Sequence, residues 1–269
     1  YLVADEQEVT VEYNETAEVA FENIEKTGEI KVTKTTVGNI NVSGITFNLR
    51  GTSDSGRDID IPAVTDENGV AIFSEIPIGT YTIYEDEKTV PTAYLVADPQ
   101  NVTVTYAETK EVPIENKEKT GSITVHKTTE GQKNIEGIKF YLRGTSDSGR
   151  AIDIPATTDK DGIAKFDGVP IGTYMVIEDE ETVPYGYLVA DEKEVKVEYA
   201  QTIDETILNN EQTGTVKVHK KTADMTNVEG IRFILSGISD TGREIRIEAT
   251  TDKDGLAKFE GVPVGTYTI

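Results

Sequence analysis

The sequence predicts an all-β protein built as a tandem array of small seven-stranded sandwich modules. Three observations predict it. The first is self-similarity at a fixed period. RGTSDSGRDIDIPA begins at Arg50 and RGTSDSGRAIDIPA at Arg143, an offset of 93 residues, and the segment from Ser236 continues the series at the same offset. VAFENIEKTG at 19–28 likewise returns as VPIENKEKTG at 112–121. A 93-residue unit is the size of one small β domain. The second observation is a succession of short runs in which apolar and polar residues alternate, separated by turn residues. The third is that no segment carries an apolar period of 3.6, so helices are not expected.

In the first full module, strands are predicted near 29–35, 44–50, 58–63, 70–73, 80–86, 100–106 and 110–116. Ile45, Phe47 and Leu49 alternate with polar neighbours, as do Val102 and Val104, and each set lines one face of its strand. Asp66-Glu-Asn-Gly69 reads as a hairpin turn, with the glycine supplying a positive φ. Two modules are complete, 26–118 and 119–211. Residues 1–25 match the end of a module and 212–269 its beginning. Tyr1–Asp5 repeats Tyr94–Asp98, and Gly265–Ile269 repeats Gly79–Ile83. Three repeats would take 279 residues (3 × 93), ten more than the 269 present, so a cut from a longer array is expected. About ten residues separate Asn116 from Lys127, which predicts short connections between modules.

Composition narrows the function. The net charge of −23 repels phosphate backbones and anionic lipid surfaces, so neither nucleic acid nor membrane is an expected partner. No apolar run approaches the ~18 residues of a membrane-spanning helix, and no basic-then-apolar leader opens the sequence. The absence of cysteine excludes disulfides and thiolate metal sites. An extended array of small extracellular modules would then need some other covalent staple.

Three polar residues fall on core-facing positions. Ile30 and Val32 point inward, and period 2 puts Lys34 on the same face. The same holds for Lys127 after Ile123 and Val125, and for Lys220 after Val216 and Val218. In the fifth strand Glu85 follows Tyr81 and Ile83, and Glu178 follows Tyr174 and Val176. In the last strand Asn116 follows Val112 and Ile114, Asn209 follows Ile207, and Asn23 follows Val19 and Phe21. Burial favours the neutral form of an amine or a carboxyl. A neutral lysine is a nucleophile, and a protonated carboxyl can polarise an amide carbonyl. Held against the asparagine Cγ, the amine can exchange with the amide nitrogen, with loss of ammonia and the carboxyl as proton shuttle. The alternative is that lysine and asparagine sit at strand ends and reach water, with Glu85 on the surface. Alternation alone leaves both open.

The sequence resembles the Cna protein B-type, prealbumin-like repeats of Gram-positive adhesins and pilins. The resemblance rests on Gly28-Glu-Ile-Lys-Val-Thr-Lys34, Thr65-Asp-Glu-Asn-Gly-Val-Ala-Ile-Phe73, Pro77-Ile-Gly-Thr-Tyr-Thr-Ile-Tyr-Glu85, Val183-Pro-Tyr-Gly-Tyr187 and the closing Ile-Glu-Asn116. It implies immunoglobulin-like sandwiches with lysine in the first strand, asparagine in the last, and a glutamate that catalyses a spontaneous isopeptide bond. Carried over, the sets are Lys34–Glu85–Asn116 and Lys127–Glu178–Asn209. Asn23 and Lys220 are crosslink residues left without partners at the two ends, unless the head of one chain meets the tail of another. Pro91-Thr-Ala-Tyr94 departs from the pattern, which has Gly before Tyr, and puts a local turn in doubt.

Other signals are weaker. Asp159-Lys-Asp-Gly162 and Asp252-Lys-Asp-Gly255 resemble the start of a calcium loop but lack its remaining ligands, and read as β-turns. His126 and His219 lie on the outward phase, with Thr33 in their place in the first copy, so no metal or acid–base role is expected. The acidic clusters at 85–87 and 178–180 lack the cleft of a glycosidase. No cofactor and no enzymatic activity on an external substrate are predicted. The expected function is a cell-wall-anchored, extracellular stalk that carries tension. Its partners would be neighbouring repeats and, through an absent tip domain, a host matrix protein. The rival is a repeat that itself binds a matrix ligand, against which stands the lack of an exposed aromatic cluster.

Overall fold

The computed structural model describes residues 1–38, 42–131, 133, 135–223, 226 and 228–269. The chain forms two compact units, Tyr1–Lys119 and Thr120–Ile269.

The first unit contains seven strands: β1 (Thr27–Thr36), β2 (Thr46–Thr52), β3 (Asp58–Val64), β4 (Val70–Pro77), β5 (Gly79–Glu85), β6 (Gln100–Val104) and β7 (Thr109–Asn116). They form two sheets, one ordered β4-β1-β7 and the other β3-β2-β5-β6. Alternation drives the packing. Ile30 and Val32 of β1, Phe47 and Leu49 of β2, Phe73 of β4, Tyr81 and Ile83 of β5, and Val112 and Ile114 of β7 all turn into one buried core. The predicted turn at Asp66–Gly69 is present: Gly69 has φ +76° and its N–H donates to Asp66 O at 3.0 Å. Among the described residues of this unit, every strand pairing is antiparallel except one. The first and last strands run parallel, with Lys34 opposite Ile114 and Thr36 opposite Asn116. The chain therefore enters the module at one pole and leaves it at the other.

The second unit repeats this plan in β8 (Thr120–Thr129), β9 (Lys139–Ser146), β10 (Ala151–Thr157), β11 (Ile163–Pro170), β12 (Gly172–Glu178), β13 (Lys193–Val197) and β14 (Thr202–Asn209). Its sheets are β11-β8-β14 and β10-β9-β12-β13, and β8 again pairs parallel with β14. Residues 213–269 supply β15 (Thr213–His219), β16 (Arg232–Ser239), β17 (Glu244–Thr250), β18 (Leu256–Pro263) and β19 (Gly265–Thr268) around a smaller core of Leu235, Ile245, Phe259 and Val262. Glu211, buried just past β14, receives the Thr241 hydroxyl and an Arg243 guanidinium N–H from this last segment.

The strand expected around Val19, Phe21 and Asn23 is absent: residues 1–25 carry no regular secondary structure. In the full modules the equivalent strand bonds to the first strand of its own repeat, and no such strand lies beside residues 16–23. An unpaired strand leaves its backbone N–H and C=O groups without a ladder. The segment keeps bonds of its repeat counterpart: Leu2 N to Ile24 O at 2.7 Å matches Leu95 N to Lys117 O at 2.9 Å, Glu15 N to Glu12 O at 3.2 Å matches Glu108 N to Thr105 O at 3.5 Å, and Gln7 Nε2 to Ala20 O at 2.9 Å matches Gln100 Nε2 to Pro113 O at 3.5 Å.

Candidate crosslinking site

The sandwich brings the predicted lysine, glutamate and asparagine together in both full modules. β1 and β7 lie side by side in one sheet, and β5 belongs to the sheet facing them. Lys34 is 1% exposed and Asn116 0%, while the Glu85 side chain is 1% exposed. Glu85 bridges the other two with its separate oxygens. Oε1 lies 3.6 Å from Lys34 Nζ, and Oε2 accepts from Asn116 Nδ2 at 2.6 Å. The second module repeats the geometry, with Lys127 Nζ 3.5 Å from Glu178 Oε1 and Asn209 Nδ2 2.6 Å from Glu178 Oε2.

The amine is directed by backbone carbonyls. Lys34 Nζ donates to Thr35 O at 2.8 Å and to Ile114 O, on the asparagine strand, at 3.3 Å. Lys127 does the same with Thr128 O and Ile207 O, at 2.7 and 3.1 Å. Burial pushes both amines below their ordinary value of 10.5, and the facing glutamate partly opposes the shift.

One detail differs from the sequence expectation. The carboxyl contacts the amide nitrogen, not the amide oxygen, because two acceptors hold the NH2 group in place. Asn116 Nδ2 also donates to Leu95 O at 2.7 Å, and Asn209 Nδ2 to Leu188 O at 2.6 Å. Asn116 Oδ1 and Asn209 Oδ1 are buried without a hydrogen-bond partner. The carboxylates are held by backbone as well, Ala97 N to Glu85 Oε2 at 2.7 Å and Ala190 N to Glu178 Oε2 at 2.8 Å. Sequence reasoning missed these four loop positions, since they act through backbone groups that leave no side-chain signature. The departure at Ala93 proves local: Gly186 takes φ +95° and Ala93 does not take a positive φ. Both loops still deliver the same bonds.

The remaining positions stand apart. Asn23 is exposed, and Lys220, just past β15, is half-buried. The acidic turns are Asx turns: Asp159 Oδ1 accepts from Asp161 N and Ile163 N, both at 2.9 Å, and Asp252 does the same with Asp254 N and Leu256 N. His126 pairs with Asp204 at 3.1 Å on the outer face of its sheet. Among the described residues, no helix is long and apolar enough to cross a membrane.

A family model described as the SpaA prealbumin-like fold domain matches residues 28–118, 121–212 and 214–269. The chain belongs to this family. The SpaA-domain chain is also similar in structure to the Bacillus anthracis TIE protein, with a TM-score of 0.63 at 22% identity. That match covers 90% of the present chain and 44% of the Bacillus protein, so the chain spans less than half of that protein's length. A streptococcal ancillary pilin matches with a TM-score of 0.39 at 18% identity, covering 89% of this chain and 88% of that one. The shaft pilin SpaA from Lactobacillus rhamnosus GG matches with a TM-score of 0.31 at 18% identity, covering 69% and 98%. No curated protein sequence matches the chain.

Proposed function

We propose that the chain is a load-bearing stalk segment of an extracellular, cell-wall-anchored surface protein, and that each full SpaA domain seals itself with an isopeptide bond. The bonds join Lys34 Nζ to Asn116 Cγ and Lys127 Nζ to Asn209 Cγ. Glu85 and Glu178 are the proton shuttles. Lys220 and Asn23 take no part in either bond. The observation that carries the reading is the buried carboxylate with one oxygen toward the amine and the other on the amide nitrogen, found twice at the repeat spacing.

The chemistry follows from that geometry. Glu85 Oε1 takes a proton from the Lys34 amine as its lone pair attacks Asn116 Cγ. Oε2 returns a proton to Nδ2, the Cγ–Nδ2 bond breaks, and ammonia leaves. The carboxyl ends in its starting protonation state, and amine plus primary amide become secondary amide plus ammonia. Enclosure of both reactants supplies the effective concentration that so slow an exchange needs.

The mechanical role follows from the parallel pairing. Force applied to the two ends of a module loads β1 and β7 in shear. A covalent tie from Lys34 to Asn116 carries that load past the hydrogen-bonded core. The sequence resemblance to Gram-positive adhesin and pilin repeats supports a place outside the cell. Intact mass tests the proposal directly: the chain should weigh two ammonias less than its sequence requires. Digestion should release a branched peptide containing Lys34 and Asn116. A chain at its full sequence mass would overturn the crosslinking reading.

A further inference from the structure

Two buried tyrosines lie beside the crosslinking sites without belonging to them. Tyr94 and Tyr187 are 2% and 3% exposed. Their hydroxyls donate to Val37 O at 3.0 Å and to Glu130 O at 3.2 Å. Each acceptor stands three residues past the crosslink lysine, where the chain leaves the lysine strand. The same two residues donate their own N–H groups to the asparagine carbonyls, Val37 N to Asn116 O at 3.3 Å and Glu130 N to Asn209 O at 3.1 Å.

On its other side each tyrosine opens the segment that holds the remaining partners. Tyr94 bridges to Glu118 and Tyr187 to Glu211, two residues past the asparagine. The next residue, Leu95 or Leu188, holds the carboxamide through its carbonyl, and Ala97 or Ala190 holds the carboxylate through its N–H. The hydroxyl thus links the exit of the lysine strand to the loop that fixes glutamate and asparagine.

We propose that Tyr94 and Tyr187 are positioning residues for isopeptide formation, acting through their hydroxyls to hold the amine over the amide carbon; this rests on the crosslinking reading above. The ring fills core space, which any aromatic residue would do. The hydroxyl joins the exit of the lysine strand to the loop that fixes glutamate and asparagine, a bond that phenylalanine cannot make. Without it the lysine strand can drift from the loop by a fraction of an ångström, and such misplacement is costly in an intramolecular reaction.

The test uses the full chain carrying Glu85→Ala, so that only the second module can react. Ammonia loss is followed by intact mass after a short expression pulse, over a range of pH, with and without Tyr187→Phe. The phenylalanine variant should fold, by its circular dichroism, and lose ammonia roughly ten- to a hundredfold more slowly. The pH of half-maximal rate should stay where it is in the parent, because burial and Glu178 still set the amine. Equal rates in both proteins would overturn the inference. So would a slowed reaction whose midpoint moves toward the ordinary lysine value, since that marks a loosened core. A Glu85→Ala parent that loses no ammonia at all would overturn the crosslinking reading and this inference with it.

Discussion

Lysine, glutamate and asparagine were each placed on the buried face by counting residues in twos along a strand. Alternation alone leaves open whether Lys34, Glu85 and Asn116 form one set, which the family resemblance implies, and the structure brings the three together. The orientation of the carboxamide was not legible. It depends on Leu95 O and Ala97 N, which belong to an irregular loop whose path no alternation encodes. The residue scale also yields a pH prediction. In a Glu178→Ala chain, Lys127 remains buried and loses the carboxylate that holds its pKa up. Its folded pKa lies below the unfolded value of 10.5, so the unfolded state binds more protons between the two, and stability rises with pH across that interval. The penalty is full below the folded pKa and gone above 10.5. The variant's second module should therefore resist urea better at pH 10 than at pH 7. Equal midpoints would mean that the amine has found water. The variant should also melt well below the parent. The proposed tie would close a ring of 83 residues (127 to 209 inclusive), worth about 4–5 kcal/mol on the chain-entropy estimate for a cross-link.

Seven strands per module follow from alternation and turn residues, and their positions match the sequence reading within a few residues. Their partners do not follow. A buried alternating strand looks the same whether its neighbour runs parallel or antiparallel, so the side-by-side arrangement of β1 and β7 came only from the structure. The segment at 16–23 marks the same limit from the other side. It has the sequence of a last strand yet forms none, because strand structure resides in pairing and not in one segment. Turns give the sharpest test at this scale. Gly162 and Gly137 both have φ near +80°, at +75° and +80°. A Cβ at Gly137 would meet open space, whereas one at Gly162 would lie 2.7 Å from Lys127 O, beside the bond from Lys127 N to Gly162 O. Gly137→Ala should cost about 1–2 kcal/mol, the ordinary penalty for a left-handed alanine. Gly162→Ala should cost clearly more and should also retard ammonia loss from the second module. Urea titrations in the Glu178→Ala background would check the order, and equal costs would refute it.

At the scale of the molecule, the 93-residue period was the most legible feature, since it needs no structural inference at all. The two proposed crosslinking sets lie in separate compact units, so their chemistry should be independent. Intact masses should step accordingly: two ammonias lost from the parent, one from Glu85→Ala or Glu178→Ala, none from the double variant. Trypsin should cut the double variant first. A single substitution that abolished both losses would reveal coupling that the two-unit structure does not provide.

The opposite poles of entry and exit also bear on inheritance. An unequal exchange between two neighbouring copies of the coding repeat inserts or removes one whole period. Because each module receives the chain at one pole and releases it at the other, the shortened or lengthened product still threads every remaining module in the same direction. Its proposed crosslink residues stay matched, since each set lies within one period. Lineages can therefore vary in the number of modules without redesigning any domain. Related isolates should differ in this region by whole multiples of 93 residues. A folded variant whose length differs by a fraction of the period would contradict this expectation.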